Sequence, residues 1–148
     1  DGTLLSLRES RSSYASDTLA ELGALDGPPR PLAPWPGARC SDEFCIATVE
    51  RDGRTYRLLL ARGREYVTER DLAAACARVD IVVADRWLPW SCRPRWLKAD
   101  RRMLDQTGGL SIRLAAHEVE TVAQGQGEHG WWRRGEASRP RPPATIRP

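Results

Sequence analysis

Four cysteines, two histidines and a run of tryptophans alternating with arginines are the residues of this chain whose types could do chemistry. Cys40 and Cys45 flank Ser-Asp-Glu-Phe in a C-x4-C arrangement, and Cys76 and Cys92 stand further apart. Structural zinc takes tetrahedral sulfur and nitrogen ligands from closely spaced cysteine pairs, often two of them, and only the first pair here has such spacing. In an oxidising compartment an even number of cysteines allows complete pairing, with three connectivities open to four. Local pairing, Cys40 with Cys45 and Cys76 with Cys92, is the expectation. The first bridge would pin the end of a proline-rich loop to the strand that follows. Four ordinary thiols, two of them buried as small hydrophobes, would fit the same sequence.

The histidines offer less. His117 stands beside Glu118 at an expected turn with no candidate nucleophile, so it reads as a surface residue. His129 lies in a Gly- and Arg-rich stretch that would hold no acid or base in register. Two histidines without an acidic cluster argue against a multi-histidine metal hydrolase. Asp80 and Asp85 bracket a short apolar run. A strand-end aspartate can serve catalysis in α/β folds, although capping of turns and helix ends is its commoner use. Thr107-Gly108-Gly109 follows a helical stretch and reads as a C-cap, not a phosphate loop. No catalytic residue, metal ligand or cofactor is read from the chain.

The segment Arg86-Trp87-Leu88-Pro89-Trp90-Ser91-Cys92-Arg93-Pro94-Arg95-Trp96 interleaves three tryptophans with three arginines. Indoles offer faces on which bases stack, and guanidinium groups meet phosphate, so Arg86, Trp87, Trp90, Arg93, Arg95 and Trp96 are the candidate contacts to single-stranded DNA. An amphipathic loop folded over a sheet edge would have the same composition. Trp131-Trp132-Arg133-Arg134 invites the same two readings, or a place at a membrane interface.

The elements that must position these residues follow from pattern. Leu5 and Leu7 alternate with polar neighbours as a half-buried strand does. Ser16 or Asp17 is the expected cap of a short helix through Leu22, and residues 26–38 hold five prolines in an expected loop. Phe44–Glu50 and Arg54–Leu60 read as a hairpin on Asp52-Gly53, a pair suited to a type I′ turn. Thr68 begins a near capping box ahead of the helical stripe Leu72, Ala75, Cys76 and Val79. Asp80–Asp85 reads as a strand buried on both faces, Asp100 as the cap of a helix through Leu104, and Leu110–Leu114 with Val119–Val122 as a last strand pair. The expected class is α+β, a mixed β-sheet with helices packed on it.

Composition sets the frame. Of 148 residues, 41% are hydrophobic and 29% charged, which is ordinary for a globular chain. The formal net charge is +3, but Gly130–Pro148 holds five arginines and one glutamate, leaving residues 1–129 at 18 basic against 19 acidic. Positive charge therefore sits in the tail, which argues against a basic face built into the core. The expected organisation is one soluble α/β domain over residues 1–124, a fragment of a longer protein, with a loose tail over 125–148 that Trp131-Trp132 could anchor. No apolar run approaches the roughly 20 residues of a membrane span.

Several stretches together resemble a known family: Asp1–Arg8, Tyr14–Glu21, Arg39–Cys45, Asp80–Cys92, Arg93–Lys98, Thr107-Gly108-Gly109 and His129–Trp132. They resemble the C-terminal region of alphaproteobacterial, sphingomonad-like ComEC-type competence proteins, over nearly the whole chain up to Trp132. The resemblance implies a polytopic inner-membrane parent that passes single-stranded DNA during natural transformation, with this portion on the periplasmic side. Many such proteins end in a metallo-β-lactamase-like domain, an αββα sandwich proposed to degrade the non-transported strand. The hairpin, the helix and Asp80–Val83 look like the second half of it. There a His-His-Gly-Ser motif would follow the strand, where this chain has Arg86-Trp87-Leu88-Pro89, and the H-x-H-x-D-H motif is absent. The implied identity is a degenerate, non-catalytic piece with a structural or DNA-contacting role, partnered by the transmembrane part of its parent. The alternative is the second half of a metal-dependent nuclease domain whose ligands lie upstream.

Overall fold

The computed structural model describes residues 3–8, 12–24 and 27–125. The Asp1-Gly2 turn, His129, Trp131-Trp132 and the rest of the expected tail beyond Gly125 lie outside the described residues. In chain order the elements are β1 (Leu5–Ser6), α1 (Ser13–Leu22), β2 (Arg30–Pro31), β3 (Ala38–Cys40), β4 (Phe44–Arg51), β5 (Arg54–Ala61), α2 (Glu69–Cys76), β6 (Ile81–Val83), β7 (Leu97–Ala99), α3 (Arg101–Thr107), β8 (Leu110–Arg113), β9 (Glu118–Thr121) and α4 (Val122–Gly125). The class is α+β, built on a five-stranded mixed sheet in the order β3-β4-β5-β6-β7. The first two pairings are antiparallel and the last two parallel.

The hairpin is the long element of the sheet. Asp52 and Gly53 have φ of 49° and 72°, the two positive values that a type I′ turn demands. That turn fixes the register, with Val49 opposite Tyr56, Ala47 opposite Leu58 and Cys45 opposite Leu60. Period-two alternation then sends Leu59 and Ala61 to one face and Tyr56, Leu58 and Leu60 to the other.

On the first face α2 closes the core. Thr68 Oγ1 accepts the Asp71 amide at 3.2 Å and donates to the Asp71 carboxylate at 2.7 Å, so aspartate serves in this near capping box. Leu72 and Cys76 turn inward onto Leu59, Ala61 and Val82. Ile81 and Val82 are fully buried between two parallel partners, as their unbroken apolar run requires. The second face is covered less. A groove of about 910 Å³ lies over Val49, Leu58 and Leu60, walled by Leu5, Leu7 and Leu32.

Four local expectations change. The helix α1 starts at Ser13 with Ser12 as its cap, earlier than Ser16 or Asp17. The proline loop carries β2, which pairs with β1 in parallel, because Arg30 can donate to Leu4 O and Leu32 to Ser6 O on either side of Pro31. The last strand ends at Thr121, and Val122 opens a single helical turn. The short strands β3 and β7 add to the expected elements at the two edges of the sheet. Elsewhere Asp100 caps α3 by accepting the Met103 amide at 3.3 Å, and Gly108 closes that helix at φ 71°. Among the described residues no helix is long and apolar enough to cross a membrane.

Candidate nucleic-acid interface

The Trp/Arg segment becomes the connection between β6 and β7. Its shape comes from three restraints. Cys92 is bonded to Cys76 at the end of α2, with Cα atoms 5.2 Å apart. Leu88 inserts into the core that Leu59 and Val82 begin. Cys92 N donates to Pro89 O at 3.1 Å, and Ser91 Oγ donates to Glu69 at 2.6 Å, which hold a tight turn around Trp90. The other local pair forms as well: Cys40 and Cys45 face each other directly across β3 and β4, with Cα atoms 4.0 Å apart.

Because Leu88 and Cys92 point inward, Trp87 and Trp90 point out, 61% and 77% exposed. The Arg102 guanidinium lies 5.3 Å from the Trp87 ring centroid and 5.4 Å from that of Trp90, so one cation bridges both indoles. Lys98 Nζ is 6.0 Å from the Trp90 centroid and donates to Pro89 O at 2.7 Å. Arg93 Nε donates to Trp90 O at 3.3 Å. Exposed cation–π contacts are each worth about 0.5–1 kcal/mol, too little to hide two indoles but enough to orient them.

The six sequence candidates thus divide. Trp87, Trp90 and Arg93 share one surface. Arg86 turns away, donating to Glu65 O at 2.9 Å with its guanidinium 4.8 Å from the Phe44 ring. Arg95 pairs with Asp80 at 3.7 Å, beyond the other end of β6. Trp96 stacks on His117, centroids 3.7 Å apart, and meets Tyr56 at a tilt. His117, expected as a plain surface residue, is exposed but pins the β8–β9 hairpin to the sheet through that stack.

Lys98 and Arg102 are the members that sequence reading missed. A signal existed for Arg102: Arg101 and Arg102 open α3 with only the Asp100 cap before them, and Arg101 is taken up by Asp105 at 2.7 Å. Cations at a helix N-terminus oppose the helix dipole, and residues placed against local preference often serve something else.

The strand-end aspartates have structural partners. Asp80 accepts the Arg57 amide at 2.8 Å. Asp85 accepts from Arg8 at 2.9 Å; that hydrogen bond, reinforced by the opposite charge, holds the Asp85 carboxyl below the usual range against a smaller opposing effect of burial. Arg8 is raised in turn. Among the described residues no three His, Cys, Asp or Glu side chains gather where they could hold a metal ion. No family model, no curated protein and no solved structure matches the chain.

Proposed function

We propose that this chain contacts single-stranded DNA through Trp87, Trp90, Arg93, Lys98 and Arg102, as the non-catalytic C-terminal part of a ComEC-type DNA-uptake protein. Its standing partner is the transmembrane part of the same parent, and its place is the periplasmic side of the inner membrane, where paired cysteines persist. The observation that carries the DNA contact is the pair of exposed indoles bridged by the Arg102 guanidinium. A base stacked on an indole is worth about 1–3 kcal/mol without regard to sequence, and the guanidinium edge is free to take a phosphate in bidentate fashion. The competence context rests on the sequence resemblance alone.

Fluorescence anisotropy with a labelled mixed-sequence oligonucleotide at two salt concentrations tests the contact. Trp90→Ala should weaken binding about 5- to 150-fold, the range that 1–3 kcal/mol implies. Arg102→Ala should flatten the dependence of log affinity on log salt by about 0.7, the share of one phosphate on a single strand. No binding at low salt, or unchanged binding in both variants, would overturn the reading.

A second reading draws on the groove over Leu58 and Leu60. An apolar sheet face with partial cover suits a two-sheet sandwich, in which a second sheet would pack about 10 Å away. On this reading the chain is the latter half of a metal-dependent nuclease domain. Any residues encoded before Asp1 would separate the two: membrane helices without an H-x-H-x-D-H run support the first, and that run supports the second. Nuclease activity of the present chain with added zinc would refute both.

A further inference from the structure

We propose that a cavity beside Trp90 receives one cytosine base of the bound strand, giving the interface a preference for cytosine over thymine; the inference rests on the DNA-contact reading above. The cavity has a volume of about 210 Å³ and is lined by Leu88, Trp90, Lys98, Asp100, Arg102, Met103 and Gln106. An apolar cavity of about 150 Å³ holds a benzene molecule, so one six-membered ring fits here. Leu88, Met103 and the Trp90 indole supply apolar walls for a ring.

The polar walls choose between pyrimidines. Asp100 is only 8% exposed, and one of its oxygens is engaged in capping the Met103 amide. A carboxylate accepts, so it pairs with the exocyclic amine of cytosine. Thymine presents a carbonyl at that position, which would set acceptor against acceptor with neither satisfied. Lys98 has three donors and spends two on the carbonyls of Leu88 and Pro89, which leaves one for the ring carbonyl of the base. Arg102, which also lines the cavity, is left to meet the adjoining phosphate. A base-edge contact of this kind discriminates by about 1–3 kcal/mol, or about 5- to 150-fold.

The experiment compares a fifteen-nucleotide oligo-dC with oligo-dT at pH 8 on the full chain, by anisotropy, in the parent protein and in Trp90→Ala and Asp100→Asn. Asparagine caps a helix as well as aspartate, so Asp100→Asn keeps the cap on Met103 while turning an amide donor toward the base; an unchanged melting temperature verifies this. The expected result is at least five-fold tighter binding of oligo-dC, a preference reduced to within two-fold in Asp100→Asn, and weakened binding of both oligonucleotides in Trp90→Ala. Equal binding of both, lost together in Trp90→Ala, would overturn the cytosine site while leaving the DNA contact standing. A cytosine preference that survives Asp100→Asn would overturn it too. Absence of binding to either oligonucleotide would overturn both readings at once.

Discussion

Removing the Cys76–Cys92 bridge should cost more than removing the Cys40–Cys45 bridge, by an amount that the chain separation sets. The first closes a loop of separation 16, the second one of separation 5. Loop-closure entropy in the unfolded chain then assigns about 3 kcal/mol to the first and about 2 kcal/mol to the second. The native side widens the gap. Cys76 and Cys92 are 0% and 1% exposed, whereas in the other pair Cys45 alone is as buried, so alanine forfeits sulfur contacts worth about 1 kcal/mol in the first pair and about 0.5 kcal/mol in the second, by analogy with small core deletions. Alanine is the proper replacement, because a serine hydroxyl there would be buried without a partner. Urea titration of Cys76→Ala/Cys92→Ala and of Cys40→Ala/Cys45→Ala measures both. The expected losses are about 4 and about 2.5 kcal/mol, and at roughly 3–5 °C per kcal/mol the melting temperatures should fall by about 12–20 °C and about 8–12 °C. Equal losses in the two variants would refute the loop-closure argument. A loss under about 1 kcal/mol for the Cys76 and Cys92 pair would show that α2 and the β6–β7 connection hold together without their bridge.

The remaining predictions concern the edges of the fold. Arg8 ties the first strand segment to the sheet through Asp85, Ala61 O and Arg62 O, so Arg8→Ala should destabilise by about 1 kcal/mol, the pair being partly exposed. Asp85 has its carboxyl lowered in the folded state, so the stabilisation is present above the unfolded aspartate pKa, near 3.9, and is lost as pH falls through the lower folded value. The melting-temperature difference between parent and Arg8→Ala should therefore narrow below about pH 4; a constant difference would contradict the linkage. Gly108 closes α3 in the left-handed region, so Gly108→Ala should cost about 1 kcal/mol by thermal melting, and no cost would mean that the last turn of α3 re-forms without it.

What the sequence made legible were the elements whose information is local. The I′ turn at Asp52-Gly53 needs only two residues willing to take positive φ, and both sit side by side in the chain. The caps at Thr68 and Asp100 are equally local, each side chain reaching an amide three residues on. Both cysteine pairings are short-range too, at separations of 5 and 16. The strands that pattern reading passed over, β2, β3 and β7, are two or three residues long and exist because a neighbour offers hydrogen bonds. No periodicity can show in so short a span. The same holds for the site. Trp87 and Trp90 stood out by composition, whereas Arg102 joins them only because α3 follows β7 directly and carries its first turn back beside the loop.

That placement also accounts for why the indoles are outside at all. Two adjacent parallel strands require a crossover of a dozen or more residues, and a helix normally supplies it, burying its apolar stripe on the sheet. Between β6 and β7 the crossover is residues 84–96, and it contains no helix. Such a connection must be fixed by other means: the bridge to Cys76, the insertion of Leu88, the Ser91–Glu69 hydrogen bond and the Lys98 bonds to Leu88 O and Pro89 O. Those anchors already satisfy the core, so neither Trp87 nor Trp90 is needed to cover it. Tyr14, Leu22 and Tyr66 are as exposed, but Trp87 and Trp90 differ from them in lying near one shared cation. With the Arg102 guanidinium near both rings, they form the surface on which the proposed DNA contact rests.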